Sequence, residues 1–360
     1  MLYFWLLYDK LLMNHTERND IMKKITAVLL CLILTLSCSV PAFAASASDS
    51  FGAYKHVYII GWDGSGAAWG NYDTPNFDRI FGSGAVRYDC QGEIPTISAQ
   101  NWGSILCGVS CDTHGFTNDS TSGKLRYSDS ENGTIFRFVR NEMPKAKLTS
   151  IVHWHNINKG IIENDLGVKK IWRQSDPMVV DEICGLFGIG YKPTLMFVQL
   201  DDIDHAGHTY GGQSEGYEEA VKKADKQLGM LFDGINSSGG MEDALFILVA
   251  DHGEANGGGH GGETAEEKSC TVAVAGKTVN NVALPEGTRN RDVAAIALYA
   301  LGIEQPDYMT AAVPANLFGQ EHDLTFEEEG FTFEKLGVKI LYLFVKFANI
   351  VCSPWDFIVV

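Results

Sequence analysis

Three apolar runs constrain this chain more than any other feature: His56–Trp62 (HVYIIGW), Thr194–Leu200 (TLMFVQL) and Ala244–Ala250 (ALFILVA). None alternates polar with apolar residues. A strand that is apolar on both sides must be covered on both sides, as in a parallel sheet flanked by helices. Helical patterns fall between and around these runs. Tyr217–Ile235 sets Val221, Ala224, Leu228, Leu231 and Phe232 at three- and four-residue intervals, Ser98–Leu106 reads as a helix, and Arg291–Leu301 as a short one. Ala146–Val152 is a further strand candidate. Alternating strands and helices predict an α/β fold with a mostly parallel central sheet sandwiched by helices, and a small inserted cap within about 120–193.

Each of the three runs ends in acid. Asp63 follows the first, Asp201-Asp202-Ile203-Asp204 follows the second with His208 soon after, and Asp251-His252 follows the third. Ligands of open α/β sheets bind beyond the carboxyl ends of the strands. A single Asp there is ordinarily a turn former; three of them, two with a nearby His, read as a site. Asp204 and His208 are four apart, so one helical turn presents both to the same cation. His205 lies about 100° around that turn and is expected to face solvent or sit behind the ligands. Asp63, Asp204, His208, Asp251, His252 and His260 make six candidate ligands, three for each of two divalent ions. Mixed carboxylate and imidazole donors suit Zn²⁺, with Mn²⁺ as a substitute. Paired ions clamp the attacking and leaving oxygens of an in-line displacement, which is the chemistry of phosphoryl groups.

A nucleophile is still needed. In Pro95-Thr96-Ile97-Ser98-Ala99-Gln100-Asn101 a helix is expected to begin near Thr96–Ser98. A hydroxyl there meets unpaired backbone N–H groups and the positive end of the helix dipole. Thr96 and Ser98 are both candidates, and either would alternatively serve as a cap.

Taken together, these residues resemble the alkaline phosphatase superfamily, in particular its type I phosphodiesterase/nucleotide pyrophosphatase branch. The order is similar: an Asp after the first strand, a hydroxyl nucleophile, Asp-x-x-x-His, Asp-His and a late His. The branch's Pro-Thr-x-Thr/Ser-x-x-Asn motif is matched by Pro95 to Asn101, followed by Cys107-Gly108 and His114-Gly115. Ala99-Gln100 stands where nucleotide pyrophosphatases commonly carry Phe-Pro, and His260 follows the Asp-His pair closely. The resemblance implies that Ser98 rather than Thr96 is the nucleophile and that Asn101 holds a non-bridging phosphate oxygen. It further implies one metal held by Asp63, Ser98, Asp251 and His252, and another by Asp204, His208 and His260, with the glycines of LVADHGEANGGGHGG letting the loop fold back to deliver His260.

The implied activity is cleavage of phosphate esters, chiefly phosphodiester or pyrophosphate bonds, through a phosphoryl-serine. Trp62, Trp102 and Tyr210 are candidates for apolar contact with a second substituent. A phosphomonoesterase would use the same core. A sulfatase fits less well, because the Cys/Ser-x-Pro-x-Arg pattern is missing, and the non-enzymatic alternative is a secreted, metal-stabilised binding module. The formal net charge of −17 argues against nucleic-acid binding. A small anionic substrate remains compatible with it, because bound cations reverse the local field.

The termini read differently. Residues 1–44 form an upstream extension and a signal peptide: Met22-Lys23-Lys24, an apolar run Ala27–Leu36, and Pro41-Ala42-Phe43-Ala44 with cleavage after Ala44. Export, with the mature protein secreted or at the cell surface, is the expectation. Residues 45–55 read as a linker, 56–320 as the catalytic domain and 321–360 as a tail. Within the tail, Leu336–Val351 forms an apolar helix that either packs on the domain or lies on a membrane surface.

Overall fold

The three apolar runs form adjacent parallel strands at the centre of an eight-stranded sheet in the computed structural model, which describes residues 50–319 and 321–322. The expected signal peptide with Ala44 and the apolar C-terminal helix lie outside the described residues. The strands are β1 (His56–Trp62), β2 (Ala85–Gln91), β3 (Leu148–Val152), β4 (Lys169–Trp172), β5 (Leu195–Leu200), β6 (Ala244–Ala250), β7 (Ser269–Ala275) and β8 (Val282–Ala283). Their order is β4-β3-β5-β1-β6-β7-β2-β8. Only β7 runs against the rest, pairing antiparallel with both β6 and β2.

Helices cover both faces, and side-chain alternation along the strands explains why both are needed. Val57 and Ile59 of β1 join a core completed by helices α2 (Ser98–Cys107), α3 (Ile135–Glu142) and α7 (Asp292–Ala300). Tyr58, Ile60 and Trp62 join a second core, on α1 (Pro75–Phe81), α4 (Asp176–Gly188) and α6 (Glu215–Asn236). β1, β5 and β6 are almost wholly buried. Each fully buried Val, Leu or Ile in such a layer contributes roughly 1.5–3 kcal/mol. The fold is therefore the mostly parallel α/β sandwich that the unalternating runs predict.

Two features go beyond what the apolar runs predict. Residues 120–193, where an inserted cap is expected, supply the edge strand β4, its inner neighbour β3 and the layer helices α3 and α4. β3 is fully buried and β4 is not. The reversal of β7 is the second. The chain leaves β6 at its carboxyl end and re-enters the sheet at that same end, with only the four-residue helix Ala265–Lys268 between. A strand re-entering without a crossover must run antiparallel.

Register aligns the chemistry. Trp62 pairs with Leu200 on one side and with Ala250 on the other. The next residues, Asp63, Asp201 and Asp251, therefore stand side by side at one edge of the sheet.

Candidate active site

Two carboxylates at that edge are half satisfied. Asp63 Oδ2 accepts hydrogen bonds from Trp102 Nε1 at 2.8 Å and Gln199 Nε2 at 3.0 Å, while its buried Oδ1 has no hydrogen-bond partner among the described residues. Asp251 Oδ1 accepts from the backbone N–H of Gly64 at 3.1 Å and of His252 at 2.8 Å, and its buried Oδ2 is likewise bare. The two bare oxygens converge on His252 Nε2, at 3.4 Å from Asp63 and 3.3 Å from Asp251. His252 Nδ1 lies 3.1 Å from the Gly253 carbonyl, which can only accept, so Nδ1 carries the proton and Nε2 offers a lone pair. Burial, then the neighbouring carboxylates Asp251, Asp204 and Asp201, push the Asp63 carboxyl well above its usual range. Burial likewise raises Asp251 and depresses the His252 imidazole. Buried lone pairs turned to a common point, without donors, are what a cation site requires.

A second cluster stands beside the first. Helix α5 (Asp202–Tyr210) presents Asp204 and His208 on one turn, with Asp204 Oδ2 3.5 Å from His208 Nε2. Asp204 Oδ1, buried and without a hydrogen bond among the described residues, lies 3.5 Å from His260 Nε2. His260 arrives on the glycine loop, where Gly258, Gly259 and Gly261 take φ of 90°, 80° and 108°, a region closed to most side chains. Its Nδ1 donates to the Thr96 carbonyl at 2.6 Å, which again turns Nε2 inward. The His252 and His260 rings stack at 3.8 Å between centroids, so the two clusters adjoin. The structure thus brings all six sequence-predicted ligands together.

The two hydroxyl candidates separate cleanly. Ser98 is the first residue of α2, whose cap is Ile97, and no side chain caps the helix. Its hydroxyl therefore remains available and lies 3.3 Å from His252 Nε2. Thr96 is fully buried and clamps the glycine loop: its Oγ1 donates to the Gly262 carbonyl at 3.0 Å and accepts from Gly261 N–H at 2.9 Å.

Other expected roles are not met by the structure. Asn101 is fully buried; its Oδ1 accepts from Glu93 N–H at 2.7 Å and Asn290 Nδ2 at 2.8 Å, and its Nδ2 donates to the Ile97 carbonyl. It braces the helix from within the core, its oxygen taken by two donors and its Nδ2 held on the Ile97 carbonyl. Trp62 is a fully buried core residue against Trp69, and Trp102 is buried with its indole N–H on Asp63, so neither can touch substrate. Tyr210 is 64% exposed and is the one of the three left at the surface. His205 is exposed, as its helical angle predicts. His153 pairs with Asp176 at 2.8 Å, and Asp176 in turn accepts the backbone N–H groups of Asp201 and Asp202, fixing the start of α5. His114 braces α2, with Nε2 3.0 Å from the Gln100 carbonyl.

Three residues escaped the sequence reading. Gln199 bridges Asp63 and Asp201, invisible because it lies inside an apolar strand. Asn118 is exposed and accepts the Ala99 N–H at 3.1 Å, which sets its amide beside Ser98; only its position just after His114-Gly115 hinted at it. Glu254 has a side-chain oxygen grouped with ligand atoms of Asp204, His252 and His260, all within 4.8 Å of one another. Its signal was present, two residues after His252 in the same acidic and imidazole-rich stretch.

Similarity to known proteins follows the same outline. The chain is 30% identical over 142 residues to a 2,3-bisphosphoglycerate-independent phosphoglycerate mutase of Halobacterium salinarum, a match covering 38% of this chain and 27% of that protein. It is 23% identical over 256 residues to mouse ectonucleotide pyrophosphatase/phosphodiesterase family member 7, covering 63% and 55%. The chain thus spans well under two thirds of these relatives. Among solved structures, murine ectonucleotide pyrophosphatase/phosphodiesterase 5 superposes with a TM-score of 0.56 at 12% identity, covering 72% of this chain and 97% of that one, a likeness of fold. The same murine protein is also solved, in inactive form, in complex with AMP. Because the family model for type I phosphodiesterase / nucleotide pyrophosphatase matches residues 57–263, from β1 through the glycine loop that carries His260, this chain belongs to that family.

Proposed function

We propose that this chain is an exported, metal-dependent hydrolase of phosphate esters, acting chiefly on phosphodiester or pyrophosphate bonds, with Ser98 as nucleophile. The observation that carries the reading is Ser98 Oγ, not engaged in capping at the start of α2 and 3.3 Å from His252 Nε2, beside two clusters of bare carboxylate oxygens. Family membership supports the reaction class. The AMP complex of the murine relative supports a small nucleotide ester as substrate. The basic-apolar-A-x-A order of residues 22–44 supports export.

The donor sets fit two divalent ions, with Asp63, Asp251, His252 and the Ser98 hydroxyl around one and Asp204, His208 and His260 around the other. Zn²⁺ suits these donors and Mn²⁺ is the alternative. When bound, such ions supply positive charge that lowers a hydroxyl pKa and neutralises charge developing on phosphoryl oxygens. The chain's own residues do the rest. Trp102 and Gln199 hold Asp63 so that its Oδ1 faces inward. The N-terminus of α2 favours negative charge where Ser98 and the substrate phosphoryl group meet. The Ser98 hydroxyl proton passes to solvent and Oγ bonds to phosphorus as the bond to the leaving oxygen breaks; a water molecule later attacks phosphorus, breaking the Oγ–phosphorus bond and restoring the protonated serine. Asn118 replaces Asn101 as the amide positioned to donate to a phosphoryl oxygen.

Ser98→Ala tests this. Turnover of bis-nitrophenyl phosphate should fall by at least about 10³-fold, while metal analysis still finds two ions per chain. Near wild-type turnover in Ser98→Ala would sink the serine mechanism, and faster turnover of the nitrophenyl monoester than of the diester would reassign the substrate class.

A further inference from the structure

Glu254 is used by none of the roles above, yet it is built into the site. It is 4% exposed, and neither carboxylate oxygen has a hydrogen-bond partner among the described residues. It is aimed inward, since its oxygen groups with ligand atoms of Asp204, His252 and His260. Room for it is provided by α5: a Cβ on Gly207 would stand 2.3 Å from Glu254 Cγ and 2.5 Å from its Cδ. The glycine between Asp204 and His208 is thus the space that the Glu254 side chain fills. Two ionised carboxylates facing each other in a buried place repel, and no donor among the described residues relieves them. A divalent cation between them removes the conflict by charge.

We propose that Glu254 is a further ligand of the cation held by Asp204, His208 and His260, and that this extra carboxylate narrows the site's margin for Zn²⁺ over Mn²⁺. The chemistry is general: carboxylate oxygens suit Mn²⁺ and Mg²⁺ better than imidazole nitrogens do, so each added carboxylate shifts relative preference toward the harder ion. The proposal rests on the two-ion reading of the site given above.

The test uses the metal-stripped full chain, titrated calorimetrically with Mn²⁺ and, separately, with Zn²⁺. In Glu254→Gln, one of two Mn²⁺ sites should weaken by at least about tenfold and the matching Zn²⁺ site by clearly less. The metal-free variant should melt close to the metal-free wild type, because glutamine keeps the shape of the side chain it replaces. Gly207→Ala, which displaces Glu254 without deleting a ligand, should weaken the same Mn²⁺ site and provides the answer should Glu254→Gln fail to fold. Mn²⁺ affinities within twofold of wild type in the folded variants would overturn the proposal, as would equal weakening for both metals. Asp204→Asn separates the two levels. If it too binds both ions normally, the two-ion reading has failed; if it loses a site that Glu254→Gln keeps, only the role of Glu254 has.

Discussion

The two clusters are made of the same residue types but are held in different ways. Asp63, Asp251 and His252 stand at the ends of central strands, fully buried, each carboxylate fixed through one oxygen by indole, amide or backbone donors. Asp204, His208 and His260 come from a nine-residue helix and a glycine loop, and the His208 side chain is 50% exposed. The sheet positions the first cluster through its register, and the donors behind it fix the carboxylates. The second depends on a loop staying folded, which Thr96 secures through both its carbonyl and its hydroxyl. The first cluster should therefore bind tightly and tolerate no change, whereas the second should be the exchangeable one.

Substitution of ligands gives the largest contrast. Asp251→Asn should remove one bound ion and lower turnover by at least about 10³-fold, whereas His208→Ala should weaken the other ion roughly 10–100-fold and keep measurable activity. Metal analysis after dialysis reads both, and equal losses would break the comparison. Next comes the support of the buried cluster. Trp102→Phe removes the indole donor to Asp63 while preserving most of the packing, and should cost roughly tenfold in metal affinity or turnover. An unchanged variant would mean that Gln199 alone orients Asp63.

The support of the loop should matter less. Thr96→Val deletes two hydrogen bonds to Gly261 and Gly262 and should lower stability by about 1–2 kcal/mol in denaturant melts, with turnover reduced only a few-fold. Loss of turnover as deep as in Ser98→Ala would make Thr96 more than a clamp. The smallest expected effect on activity lies at His114 behind α2. Burial pushes its imidazole from 6.5 down to about 4. Between those values the unfolded chain binds the proton and the folded chain does not. Its contribution is therefore present above pH 6.5 and lost as pH falls toward 4, by up to about 3 kcal/mol. His114→Gln should flatten that acid limb in chelator-treated protein, and an unchanged pH profile would remove His114 from the account.

Much of the design was legible in one dimension. Strands buried on both faces have only apolar residues to show, so HVYIIGW, TLMFVQL and ALFILVA announced the sheet and where its functional edge would fall. Helical spacing alone puts Asp204 and His208 on one face. Roles that depend on which side of a helix or strand faces the cleft were not legible. Asn101 and Asn118 are both plausible phosphate partners by residue type, and only packing shows that the first is enclosed behind α2 and the second lies open beside Ser98. Trp62 and Trp102 were misassigned for the same reason, since an indole beside an acid reads alike whether it meets substrate or core.

The sequence by itself determined the layered α/β class and the six candidate ligands, because backbone periodicity and side-chain chemistry are local properties carried by neighbouring residues. Only the tertiary structure decided which hydroxyl is uncommitted, that β7 turns back, and that Glu254 fills the gap left by Gly207. Those outcomes depend on contacts between segments far apart in the chain, where volume and hydrogen-bond satisfaction choose among arrangements that the local pattern leaves equal.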